Sequence, residues 1–140
     1  MQILRRIHLA LAWAFVAGVV VQVFLAGLGV FDSPERFEVH RTWGYTLELF
    51  PILLLVLAAV GRLGRRQLIY PAALFGMFIL QSVFVALRTD MPMVAALHPV
   101  NGFGILLVGV AMAREAWLTR DATVGERARL AAATSGTASD

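Results

Sequence analysis

HRTWGYTLELFPILLLVLAAVG, residues 40–61, decides the fold. It begins with a polar turn and continues as apolar residues broken only by Glu48 and Pro51. At a rise of 1.5 Å per residue such a run crosses a hydrocarbon core of roughly 30 Å. A backbone in lipid must satisfy its own hydrogen bonds, so the run is read as a transmembrane helix. Three further runs of the same kind occur at about 8–31, 68–88 and 94–117. The joining segments, 32–39, 62–67 and 89–93, are short, and short connections make consecutive helices antiparallel neighbours. The expected fold is all-α: an integral membrane four-helix up-down bundle over residues 1–118, followed by a polar, partly disordered cytoplasmic tail over 119–140.

Composition agrees. The 140 residues are 59% hydrophobic and 15% charged, against roughly 25% charged in ordinary soluble domains. So little polar surface implies that part of the solvent is a lipid bilayer. The apolar run at 8–31 exceeds the h-region of a signal peptide, roughly 7–15 residues, and is expected to remain as a span. There is no cysteine, which excludes disulfides, thiolate metal sites and covalent haem attachment.

All twelve basic residues are arginine, a hint of a GC-rich bacterial genome. Nine fall on one side of the spans: Arg5, Arg6, Arg62, Arg65, Arg66, Arg114, Arg120, Arg127 and Arg129. Arg36, Arg41 and Arg88 fall on the other, among Asp32, Glu35, Glu38 and Asp90. The positive-inside rule then places a multi-pass protein in the bacterial plasma membrane with both termini cytoplasmic. The net charge of +3 is thereby a topology signal, and no nucleic-acid partner is expected.

The second and fourth spans open alike, with HRTWG at 40–44 and HPVNG at 98–102. The first and third each carry a glutamine, Gln22 and Gln81. The glutamines are 59 positions apart and the histidines 58, the pattern of a tandem repeat of two helix hairpins. In an up-down bundle the second and fourth helices are diagonal, so His40 and His98 should face each other at one depth below the outer surface. Each glycine, Gly44 or Gly102, lies four residues on and only 40° around the helix from its histidine. A missing side chain there leaves room for a flat group.

Two opposed imidazoles over such a wall suit one non-covalent haem b, with His40 and His98 as axial ligands to iron. Arg41 and Arg88 are the candidates to pair with its propionates, and Gln22 and Gln81 to orient the imidazoles or line the pocket. Zinc would need a further ligand, for which Glu38 is the candidate. Glu48, an acid within a span about 12 Å along the helix from His40, is a candidate proton or quinone contact. His8 stands alone at the other end and reads as interfacial, so a stack of two bis-histidine haems across the membrane is not available.

EVHRTWGY and LHPVNGFGILLVG resemble the histidine helices of bacterial haem A synthase, of which this chain is similar to one half. The glutamate departs from that family's pattern, since Glu38 stands two residues before His40 rather than three. Over about residues 10–117, particularly FLAGLGVF, HRTWGY and ALHPVNG, the chain resembles a family of small bacterial four-helix membrane proteins of unknown function. The likeness to four-helix membrane cytochromes b is architectural. The expected function is a membrane b-type cytochrome passing electrons between a quinol, or a partner redox subunit, and an outer-side acceptor. The alternatives are a haem-free accessory or assembly subunit of a larger membrane complex, and a haem-modifying oxidase-like enzyme. An electron-transfer protein is favoured over a stand-alone enzyme.

Overall fold

The computed structural model describes the backbone of residues 2–136 and the side chains of residues 2–120. The chain is helical throughout, with no strand among the described residues. Helix α1 (Gln2–Phe31) is followed by a 3₁₀ turn (Pro34–Arg36) and α2 (Phe37–Val60). Then come α3 (Arg65–Ala86), the short α4 (Pro92–Ala95) and α5 (His98–Gly136). Four segments among the described residues are long and apolar enough to cross a membrane: Gln2–Phe31, Pro34–Val60, Arg65–Ala86 and Pro92–Arg120. They match the four runs read from the sequence. The tail expected from residue 119 begins on α5; side chains beyond 120 lie outside the described residues.

Local chemistry sets the turns. Ser33 is extended, and Pro34 opens the 3₁₀ turn, where its missing N–H costs nothing. Arg36 closes that corner on Asp32 at 2.9 Å. At the end of α2 the N–H of Leu63 reaches back to the Ala58 carbonyl at 3.0 Å, with Arg62 left-handed at φ 48°. This is a Schellman-type stop, and the accompanying apolar contact is supplied by the buried Leu63. Gly64 then turns the chain into α3 at φ 104°, a conformation that favours glycine.

Helix α1 packs on α2 and α5, and α3 packs on the same two, so α1 faces α3 and α2 faces α5 across the bundle. The core repeats with the sequence. Phe15 and Val19 of α1 are buried, as are Leu74 and Phe78 of α3, 59 positions on. Leu47 and Leu54 of α2 are matched by Ile105 and Met112 of α5, 58 positions on. Two hairpins with equivalent inward faces therefore close one bundle. Phe15 is 0% exposed at its centre and meets the rings of Phe50 and Phe78 at 6.0 and 6.1 Å. The outer surface carries exposed Val20, Val23, Phe24, Leu53, Val56, Ile79 and Leu107. Such a surface suits a lipid bilayer, where apolar side chains lose nothing by facing outward.

Candidate functional site

His40 lies in the first turn of α2 and His98 opens α5. Because those helices are diagonal, the two rings meet across the bundle, with centroids 6.4 Å apart and planes at 64°. The two rings thus come together at the bundle end opposite the main group of arginines.

Each histidine is held by the glutamine of its own hairpin. The His40 Nδ1–H donates to the Gln22 backbone carbonyl at 3.1 Å, and the Gln22 side-chain amide faces His40 Nε2 at 3.3 Å. The carbonyl accepts only, so the proton sits on Nδ1 and the Nε2 lone pair points at the amide. Gln81 Nε2 faces His98 Nε2 at the same 3.3 Å, while His98 Nδ1 is buried with no partner. Glycine is needed for this close approach at Gly44, whereas at Gly102 a Cβ would make ordinary contact. A Cβ on Gly44 would stand 2.9 Å from Gln22 Nε2, and one on Gly102 would stand 3.4 Å from Gln81 Nε2. In this structure the space over each glycine is filled by the glutamine amide.

The repeat extends one residue type further than the sequence reading took it. Three positions after each histidine stands a side-chain donor, Trp43 or Asn101. Each donates to the backbone carbonyl four residues before its glutamine: Trp43 Nε1 to Gly18 at 2.9 Å, and Asn101 Nδ2 to Met77 at 2.9 Å. Asn101 also donates to Gln81 Oε1 at 2.6 Å, which turns the Gln81 amide toward His98. An indole has only one N–H, so Trp43 cannot do the same, and Gln22 Oε1 is buried without a partner. Replacing Asn101 with leucine removes both bonds and unpins Gln81. The expected loss is about 1–2 kcal/mol, from bonds worth ~0.6–1.7 kcal/mol in membrane proteins, measured by unfolding in mixed micelles. Trp43→Phe should cost less, about 0.6 kcal/mol.

The remaining candidates lie farther out. Arg41 donates to Glu38 at 2.6 Å on the exposed surface, and Arg88 caps the Val85 carbonyl at 3.3 Å, also exposed. Glu38 is thereby engaged. Among the described residues no three His, Asp or Glu side chains come together, which leaves zinc without a ligand set. Glu48 accepts a bond from Ser82 at 3.4 Å and lies in a groove of about 450 Å³ between α2 and α3. Phe75, Phe78 and Ile79 supply its apolar walls. Tyr45 is exposed.

His8, read as interfacial by its place at the bundle end, is buried within the protein there, at 1% exposure. Gln67, which the sequence reading passed over, is 4% exposed at the same end. The signal was present, since His8 and Gln67 are 59 positions apart, the offset that links Gln22 to Gln81.

Residues 22–88 match a family of unknown function, DUF6220. The matched stretch contains Gln22, His40, Gly44 and Gln81 and ends before His98. No curated protein and no solved structure matches the chain.

Proposed function

We propose that the chain is a membrane b-type cytochrome holding one haem b between His40 and His98. It would lie in a bacterial plasma membrane with the haem near the extracytoplasmic face and both termini cytoplasmic, following the arginine distribution. It would pass electrons between a quinol, or a partner redox subunit, and an outer-side acceptor. One observation carries this reading: two histidine rings on diagonal helices, 6.4 Å between centroids. His40 and His98 would be the residues that hold the group, each through a ring nitrogen that now faces a glutamine amide.

The donor set fits an axial pair. Protonation of His40 at Nδ1, bonded to a backbone carbonyl, leaves Nε2 as the ligating atom, the usual outer support of a metal-bound histidine. Ligation would use the ring nitrogen that each glutamine amide now faces, and Gln22 and Gln81 would have to turn aside from Gly44 and Gly102. A haem held there supplies reversible one-electron storage. Arg41 and Arg88, both exposed, would be the cations to pair with its propionates, Arg41 by exchanging its partner Glu38. The Glu48–Ser82 groove, apolar with one carboxylate, is where a quinol head would find a proton acceptor. The test is a reduced-minus-oxidised visible spectrum of protein purified from haem-replete cells, with haem counted per chain. One b-type haem per chain supports the reading; a folded, colourless protein overturns it.

The same glutamine bonds favour a second reading, a haem-free accessory subunit of a larger membrane complex in which His40 and His98 are packing residues. The two readings differ for Gln22→Leu. In the haem-free protein the change strips His40 Nε2 of its donor and is expected to cost about 1–2 kcal/mol. In a haem-bound protein the spectrum and its intensity should persist.

A further inference from the structure

We propose that the arginine-rich end of the bundle carries a second site, built to take a phosphate oxygen between His8 and Gln67. These residues occupy equivalent positions of the two hairpins and are 1% and 4% exposed. His8 Nε2 and both Gln67 amide atoms are buried without a hydrogen-bond partner. Leaving such groups bare costs about 1–3 kcal/mol each, so the fold holds them there against a penalty that a ligand would remove. They line a cavity of about 20 Å³ together with Arg5, Leu63, Thr119 and Arg120.

Size and charge narrow the ligand. A cavity needs roughly 10–15 Å³ to hold one water, so this one admits a single oxygen atom, with the rest of its molecule at the mouth. Arg5 and Arg120, both half-buried, are among the cavity's lining residues. The imidazole, the Gln67 amide N–H and the guanidinium groups donate and suit an anionic oxygen rather than a cation; Gln67 Oε1 only accepts and is not served by it. Glu115, on the same stretch of α5, is bonded to Arg66. Arg6, Arg62, Arg65 and Arg114 add positive field at this end of the helices. A phosphate there has two sources, the headgroup of an anionic lipid or a free phosphate ion.

The experiment uses the full chain labelled with ¹⁵N-histidine in neutral maltoside micelles. It is titrated with inorganic phosphate in one arm and with phosphatidylglycerol in the other. The His8 ring nitrogens should shift in at least one arm while those of His40 and His98 stay fixed; the responding arm identifies the source. Arg5→Ala and Gln67→Leu should each weaken the response by about tenfold or more, and Phe24→Ala, on the exposed outer face, should leave it unchanged. Arg5 is only half-buried, so its variant tests the site even if Gln67→Leu misfolds. No shift of His8 in either arm, as for a cavity that takes water only, would overturn the proposal. So would an undiminished response in Arg5→Ala.

Discussion

If the proposed haem is present, replacing either His40 or His98 with alanine is expected to strip the chain of it. Each variant should retain haem more than ~100-fold less tightly than the wild type. That exceeds the 10–100-fold that loss of an outer hydrogen-bond partner costs a metal site, because here a ligating atom is removed. The two losses should be alike, since the rings are equivalent in the repeat and meet across the bundle at 6.4 Å. His8→Gln is the matched control: it changes the remaining histidine at the other end of the bundle and should leave the visible spectrum unaltered. The measurement is absorbance per chain after purification, with helical content checked by circular dichroism. Unequal effects, with one histidine variant keeping full absorbance, would mean that the pair is not the axial pair.

The largest effect on stability is expected from Phe15→Ala. Phe15 is fully enclosed, with Phe50 on one side and Phe78 on another. Its ring also leans on the bare backbone of Gly109, where a Cβ would stand 2.9 Å from Cε1. Removing the ring leaves a hole where all four helices converge. Phe→Ala in a packed core costs about 3–5 kcal/mol. Lipid is as apolar as the core, so the transfer part of that cost shrinks and the packing part remains; about 3 kcal/mol is expected. Equilibrium unfolding in mixed micelles measures it. Phe24→Ala, on the exposed face at 64% exposure, should fall near zero by the same measurement. Gly109→Val approaches the problem from the other side, forcing a side chain into the Phe15 ring at an expected 1–3 kcal/mol.

Much of this architecture is written in local sequence. Spans follow from apolar length, and their antiparallel order follows from short connections. The offset between Gln22 and Gln81, against that between His40 and His98, was enough to expect the two histidines face to face. The details that depend on which atom meets which were not legible. Trp43 and Asn101 share a position and a role, yet indole and amide look unrelated in sequence; only the carbonyls they reach reveal the likeness. The glycines announced space beside the histidines, but not that Gln22 and Gln81 fill it. His8 sits near a chain end beside two arginines, the usual setting of an interfacial residue. Its burial comes from its packing inside the bundle, near Leu63, Gln67 and Ala116, none adjacent in sequence. Gln67 was hidden within an arginine-rich turn for the same reason.

The repeat also explains why the two ends of the bundle differ. At one end the paired positions hold glutamine against histidine, and the bonds are largely closed within the protein. At the other, His8 and Gln67 stand in equivalent places and their buried polar atoms are open. On the proposals made above, the two similar hairpins would supply a haem-binding histidine pair at one end and an anion-binding cluster at the other.

The central claim is that His40 and His98 ligate one iron together, and electron paramagnetic resonance of the oxidised wild-type protein tests it most directly. Two imidazoles on one ferric haem give a low-spin signal. The account predicts a single low-spin species in the wild type, with the residual haem of His40→Ala and His98→Ala turned high-spin. A haem-loaded wild type that is high-spin, or a folded protein with no haem signal, would contradict it.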